Sequence, residues 1–379
     1  MFITHSRMPI FMFLSTLDLH HFRNYDRERL VFSQRGVLIR GGNAQGKSNL
    51  LEAIYFLSLG KSSRGTTDAD VATYEEDGFD VRGGISGHSG SFTLFVQYDT
   101  VQGKRIYLDG QLVPKVSELV GHFPLVLFSP EDVDLMLRFP AGRRRMLDAL
   151  LAQESREYLT DLLRYRRILT QRNHLLKRIT RAEIQADQLL HPWDQELAKC
   201  GVRIVRKRMA VIGEVEKDFV RFYRKLTSGD EETSFAYEST VSLDTDDDVS
   251  SFVESLRKNR AAEIRMGHTL IGPHRDDIQV DINERDLQRF SSQGQLKSVL
   301  LAWKLAEVVF LRRACGQWPV LLLDDVFSEL DRRRCMVLME LVSEFGQVFM
   351  TAARDEDLPL SEMGFDEFII QGGTSIRAE

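Results

Sequence analysis

The sequence predicts an α/β fold. A mostly parallel sheet around a phosphate-binding loop (P-loop) is assembled from both ends of the chain, and an α-helical second domain is inserted between them. Three observations carry this. Gly41-Gly42-Asn43-Ala44-Gln45-Gly46-Lys47-Ser48 fits the pattern G-x-x-x-x-G-K-[ST]. Val320-Leu321-Leu322-Leu323 is an apolar run ending in Asp324-Asp325. Between them, from Arg143 to Arg178 and from Trp193 to Leu226, apolar residues recur at spacings of three, four and seven, the period of long amphipathic helices.

Leu17, Leu19 and Phe22 alternate as in a strand. Val37-Leu38-Ile39 leads into the glycine loop, and Asn49 to Leu59 is rich in helix formers. The loop therefore has the strand–loop–helix context its pattern requires. Ser91 to Gln97 and Arg105 to Leu112 read as strands, the second turning at Asp109-Gly110, which makes the first lobe β-rich. His191-Pro192 breaks the middle helices into a hairpin, and Asp244 to Asp248 reads as a loop. Leu296 to Arg312 is helical, Pro319 to Leu323 is a buried strand, Arg332 to Glu344 is helical and Gln347 to Met350 is a strand. The expected division is 1–135 and 261–379 for the two parts of the P-loop domain and 136–260 for the helical insert.

The chain has 379 residues, enough for two or three domains. Cys200, Cys315 and Cys335 form no C-x-x-C pair, which argues against a zinc site or a disulfide framework and for the reducing cytoplasm. Ile10 to Leu14 is too short to span a bilayer, so no membrane association is expected. The net charge of −6 hides a segregation. Ala141 to Leu226 carries 20 Lys/Arg against 11 Asp/Glu, whereas Thr227 to Leu256 has nine acidic residues and no Lys or Arg. Such a distribution suits a phosphate-binding face; solvated helix faces are the alternative.

The motifs point to an ATP site with Mg²⁺. Backbone N–H groups of Gly41, Gly42, Asn43, Ala44, Gln45 and Gly46 can cradle phosphates, Lys47 supplies a cation, and the Ser48 hydroxyl can ligate Mg²⁺. Asp324, at the strand end, would hold Mg²⁺, and Asp325 would act as general base. Ser291-Ser292-Gln293-Gly294-Gln295 precedes a helix. Ser292, Gly294 and Gln295 there can face an anion with a hydroxyl, backbone N–H groups and a helix N-terminus. Ser328-Glu329-Leu330-Asp331 follows the Asp-Asp strand and completes an ordered set.

That set resembles the ATP-binding cassette superfamily, with Ser291 to Gln295 as the signature segment and Ser328 to Asp331 as the D-loop. The resemblance implies a cassette-type ATPase head. In it the signature of one subunit closes on the nucleotide of another, so that Ser292, Gly294, Gln295 and Asp331 contribute to ATP binding in a homodimer. Thr351 stands where many cassette ATPases have a histidine, which suggests slow hydrolysis, a switch rather than an engine.

More narrowly, the chain resembles the RecF family of SMC-like ATPases. The likeness rests on Leu17 to Tyr25, Asn43 to Ala53, Phe128-Ser129-Pro130-Glu131-Asp132, Arg143-Arg144-Arg145 and Ile271 to Asp277. An N-terminal extension, Ser48 in place of the commoner threonine, and Lys61-Ser62-Ser63-Arg64 depart from that family's pattern. The resemblance implies an ATP-dependent dimer that binds single-stranded and duplex DNA without sequence preference. It would work with RecO and RecR mediators to load recombinase at gaps and support the SOS response. Candidate phosphate contacts are Arg143, Arg144, Arg145, Arg164, Arg166 and Arg167, with internal salt bridging as the alternative. A transporter subunit would place loop and signature much closer in sequence. A nuclease-coupled ATPase would need an added acidic metal cluster. A non-hydrolysing ATP-gated scaffold differs only in turnover.

Overall fold

A computed structural model of the protein describes residues 11–34, 36–87, 90–182, 186–227, 229, 231–243, 247–290, 292–352 and 364–378. In chain order, the first part contains strands β1 (Phe13–Phe22), β2 (Tyr25–Val31) and β3 (Val37–Arg40), then helix α1 (Lys47–Leu59). It continues with β4 (Gly78–Gly87), β5 (Gly90–Asp99), β6 (Gly103–Leu108), β7 (Gln111–Val113), α2 (Val116–Leu119) and β8 (Leu125–Phe128). The middle contains α3 (Pro130–Arg138), α4 (Pro140–Glu154), α5 (Arg156–Ala182), α6 (Ala186–Thr227), β9 (Thr233–Glu238) and α7 (Asp248–Met266). It ends with β10 (Asp277–Ile282), β11 (Arg285–Asp286), α8 (Leu287–Phe290) and α9 (Gln293–Cys315). The last part holds β12 (Val320–Leu323), α10 (Arg332–Val342), β13 (Val348–Ala352), β14 (Asp366–Gln371) and β15 (Thr374–Arg377).

The chain divides into two units, 1–130 with 307–379, and 131–306. The boundary at 306/307 falls inside α9. Residues 261–306, expected with the P-loop part, group instead with the middle unit, where β10 pairs antiparallel with β9 and β11.

In the first unit, one sheet runs β15-β14-β3-β13-β12-β8 and is parallel except at β15. The other, β2-β1-β4-β5-β6-β7, is antiparallel. Helix α1 contacts strands of both sheets. That explains why Leu50, Leu51, Ile54, Phe56 and Leu57 are all buried although no single face of the helix is apolar. One core joins both sheets to α1, with Leu17, Phe22, Ile39, Phe79 and Val320 among its members. The order β3-β13-β12 matters most, because it sets the ends of three parallel strands side by side where the glycine loop leaves β3 and Asp324 follows β12.

The middle unit corrects three expectations. The helix expected from Arg143 to Arg178 is two, because Ser155 leaves the helical conformation and its Oγ accepts the Tyr158 N–H at 3.1 Å, capping α5. Pro192 breaks nothing: it lies inside α6, and α5 has already ended at Ala182. Packing of Leu190 with Leu176 and Ile179 holds the first turns of α6 in place against the N–H that the proline lacks. Of the acidic run, 244–246 lie outside the described residues. Asp247 caps α7, accepting the Ser250 N–H at 3.1 Å, and Asp248 is its first residue. Among the described residues no helix is long and apolar enough to cross a membrane.

Candidate functional site

The P-loop connects β3 to α1 and is held from both sides. Asn24 Nδ2 donates to the Gln45 carbonyl at 2.9 Å, and the Tyr25 hydroxyl donates to the Gly46 carbonyl at 2.9 Å. From the β14–β15 turn, Gly372 N donates to Gln45 Oε1 and Gly373 N to the Gln45 carbonyl, at 2.7 and 3.1 Å. Gly46 has φ 116°, and a Cβ there would lie 2.6 Å from Asn24 Nδ2, so only glycine lets the clamp close. Asn24 and Tyr25 belong to the motif that carried the family resemblance, but their role was not legible there. Gly372-Gly373, a turn signal, was the other available clue.

Lys47 is buried, and its ammonium donates to the carbonyls of Gly41 and Gly42 at 2.9 and 2.7 Å. Burial pulls its pKa below the ordinary lysine value, opposed by the charges of Asp325 and Asp324. Ser48 Oγ donates to Asp324 Oδ1 at 3.0 Å, joining residues 276 positions apart. Thr351, on the strand between, donates its hydroxyl to the same Oδ1 at 2.7 Å and accepts the Asp325 N–H at 2.8 Å. Thr351 is therefore a brace between the Asp324 carboxylate and the Asp325 backbone. Burial raises the Asp324 pKa, and the hydrogen bonds from Thr351 and Ser48 oppose the rise. Asp325 has a left-handed backbone, φ 46°, and its Oδ2 accepts the Ser328 hydroxyl at 2.8 Å.

This donor set fits a magnesium ion shared with phosphates. It offers a hydroxyl and a partly buried carboxylate, both hard oxygens. Among the described residues no cluster of three or more His, Cys, Asp or Glu could hold a metal by itself. A partner that keeps water and phosphate ligands is consistent with that.

In the middle unit, Ser292 and Gln295 form a reciprocal cap on α9. Ser292 N donates to Gln295 Oε1 at 2.8 Å, and Gln295 N donates to Ser292 Oγ at 3.3 Å. Gly294 lies in the first turn; Ser291 is outside the described residues. Gln295 Nε2 also donates to Glu231 Oε1 at 2.5 Å, a contact no sequence pattern announced. Asp331 N-caps α10, accepting the Arg334 N–H at 2.9 Å.

The six candidate arginines separate. Arg143 is 3 % exposed and forks onto Asp277 with bonds of 2.8 and 2.7 Å, so its charge is compensated inside the protein. Arg144 is half-buried and donates to the Asp276 carbonyl at 2.5 Å. Arg164 pairs with Glu196, and Arg166 with Asp148 at 3.2 Å, both from exposed positions. Arg145 and Arg167 are exposed. Much of the positive charge of the middle is internal too: Arg172 and Arg208 are buried, on Asp194 and Glu263 and on Asp148 respectively.

The braced P-loop on a parallel sheet, closed by residues from the far end of the chain, defines a class. A family model described as RecF/RecN/SMC N terminal domain matches residues 13–369. The Smc head domain from Pyrococcus furiosus shares the fold at 16 % identity and TM-score 0.56, covering 97 % of this chain and 96 % of that one. The molecule is thus an SMC-type ATPase head in fold. The DNA replication and repair protein RecF of Streptococcus thermophilus is 34 % identical over 364 residues, 96 % of this chain and 98 % of the relative. That of Geobacillus thermodenitrificans is 37 % identical over 344 residues, 90 % and 92 % of the two chains. A solved structure of the recombination mediator protein RecF with ATP, in the RecFOR pathway, has TM-score 0.90 at 33 % identity and covers 99 % of this chain and 100 % of its own. The chain belongs to the RecF family of DNA replication and repair proteins.

Proposed function

We propose that this protein is an ATP-dependent DNA-binding protein of recombinational repair and replication. It takes ATP with Mg²⁺ at the Gly41–Ser48 loop. It closes as a homodimer in which Ser292, Gly294 and Gln295 of one copy, with Asp331, meet the nucleotide of the other. It binds single-stranded and duplex DNA through phosphate contacts, works with RecO/RecR-type mediators in the cytoplasm to load recombinase at gaps, and supports SOS induction. The single observation that carries the reading is the 3.0 Å bond from Ser48 to Asp324, with Thr351 bracing the Asp324 carboxylate and the Asp325 backbone. The ATP-bound relative and its RecFOR pathway support the nucleotide and the mediators.

In this reading Lys47 neutralises phosphate charge, Ser48 and Asp324 hold the metal, and Asp325 takes the proton of the attacking water. Thr351 in place of a histidine favours a second reading, a non-hydrolysing ATP-gated scaffold. Phosphate release with and without DNA separates the two. The account expects slow, DNA-stimulated release by the wild type and none by Asp325→Asn, which keeps its ATP bound. Equal release by the variant refutes the role of Asp325; no release by the wild type establishes the scaffold.

A further inference from the structure

A cavity of about 290 Å³ opens in the middle unit, and none of the nucleotide-site residues named above is among its lining residues. Arg144, Arg145, Arg166 and Arg208 line it, and Asp148 is the one carboxylate among its lining residues. Arg208 is 2 % exposed and fixed: it donates to Asp148 Oδ1 at 2.7 Å, to the Pro273 carbonyl at 2.6 Å and to the Tyr237 hydroxyl at 3.1 Å. Arg166 reaches the other oxygen of the same Asp148 at 3.2 Å, so two guanidinium groups share one carboxylate. Arg144 is tied to the Asp276 carbonyl, and Asp276 itself accepts from Tyr237 and Thr240. Arg143 and Asp277 neutralise each other nearby.

Charge at the cavity does not close. Four guanidinium groups and one carboxylate, Asp148, line the cavity, and with Asp276 adjoining this leaves a surplus of about two positive charges. Burial, and next the charge of Arg208, hold Arg144 below the ordinary arginine value, opposed by Asp277, Asp276 and Asp148. Helix α4 sharpens the imbalance. It starts at Pro140 with no side-chain cap and no acidic residue in its first turn, yet Arg143, Arg144 and Arg145 follow at once. Basic groups at the positive end of a helix are unfavourable unless an anion joins them. Ala141 of that turn also lines the cavity.

We propose that this cavity is a phosphate-binding pocket, a second anion site besides the P-loop, and that its occupant is a phosphate of a nucleic-acid strand. The pocket stands on its own geometry; the nucleic-acid occupant rests on the DNA-binding reading above. Planar guanidinium groups suit phosphate oxygens, and a phosphoryl group supplies one to two negative charges to match the surplus. The source can be a backbone phosphodiester or a strand-terminal monoester, and the test separates them.

Arg145→Gln with Arg166→Gln empties the mouth of the pocket while leaving Arg208 on Asp148. Both side chains are exposed, so the fold should tolerate the change. Arg178→Gln with Arg224→Gln removes the same charge from exposed positions outside the cavity. First, inorganic phosphate is titrated by ³¹P line broadening into protein carrying Lys47→Ala, so that the P-loop is disabled. Broadening is expected, and its loss on adding the two pocket substitutions; no broadening, or broadening that survives them, overturns the pocket. Second, labelled oligonucleotides with and without a 5′ phosphate are titrated by fluorescence anisotropy. The pocket variant should bind about tenfold more weakly, and the control variant should lose much less. A loss confined to the phosphorylated strand identifies a terminal phosphate, and a loss on both identifies the backbone; either supports the proposal. Equal losses in the pocket and control variants overturn the nucleic-acid occupant. Wild-type protein that binds phosphate but no oligonucleotide overturns the DNA reading and that occupant, while the pocket stands on the phosphate result.

Discussion

Arg143→Gln should unfold the middle unit more readily and leave DNA binding unchanged. The side chain donates to the Asp277 carboxylate at 2.8 and 2.7 Å and to the Met136 carbonyl at 2.6 Å. Removing one partner of a buried pair costs about 3–5 kcal/mol, because the other charge is left without compensation. Asp277 lies toward the low end of that range. It is 25 % exposed and keeps the Ile278 N–H at 2.7 Å, so about 3 kcal/mol is the expected loss. For a unit of this size that lowers the melting temperature by roughly 6–12 °C. Arg145→Gln, two residues on and exposed, should cost no more than about 0.5 kcal/mol. Thermal and urea unfolding measure both, and Asp277→Asn should recover part of the Arg143→Gln loss in a double-mutant cycle. The slope of log K against log salt for duplex DNA should be unaltered in Arg143→Gln. An unchanged melting temperature together with a shallower salt slope would refute the structural assignment and restore Arg143 as a phosphate contact.

Two further predictions concern the nucleotide site and pH. Thr351→Val keeps the shape but removes the hydroxyl bonded to Asp324 and to the Asp325 N–H, so affinity for Mg·ATP should fall about tenfold, equivalent to roughly 1.4 kcal/mol. Unchanged affinity by calorimetry would show that the brace is dispensable. Burial first, with Arg275 adding, holds the His274 pKa down to about 4, and the neutral ring accepts from the Tyr165 hydroxyl at 2.7 Å. Since the unfolded form takes up a proton near pH 6.5 and the folded form does not until about 4, stability is full above pH 6.5. It should fall through that window by up to about 3 kcal/mol. His274→Gln should flatten that part of the pH–stability curve, and an identical curve would contradict the assignment.

What the sequence made legible follows from how local each signal is. The strand–loop–helix at Val37 to Leu59 and the strand ending at Asp324 are continuous patterns whose flanks confirm them, and both stand where expected. Arg143 and Arg145 are indistinguishable in sequence, yet one is buried and the other exposed, because the partner that decides between them, Asp277, lies 134 residues away. Pro192 failed as a breaker for a similar reason: the apolar packing that keeps α6 helical comes from another helix. Thr351 could be read only as a missing histidine, since its role depends on β13 lying between β3 and β12, an order that is not chain order. The boundary near 306 was hidden because α9 runs through it without a break in pattern.

The central claim is that ATP closes two copies through the segment at the N-terminus of α9, and light scattering on purified protein tests it most directly. With Mg·ATP the wild type should rise from its monomer mass of 43.5 kDa to about twice that value. Ser292→Arg puts bulk and charge on the closing face. It should stay at the monomer mass while still binding ATP, because Lys47, Ser48 and Asp324 are untouched. A wild type that remains monomeric at saturating Mg·ATP, or a Ser292→Arg protein that dimerises normally, would contradict the account.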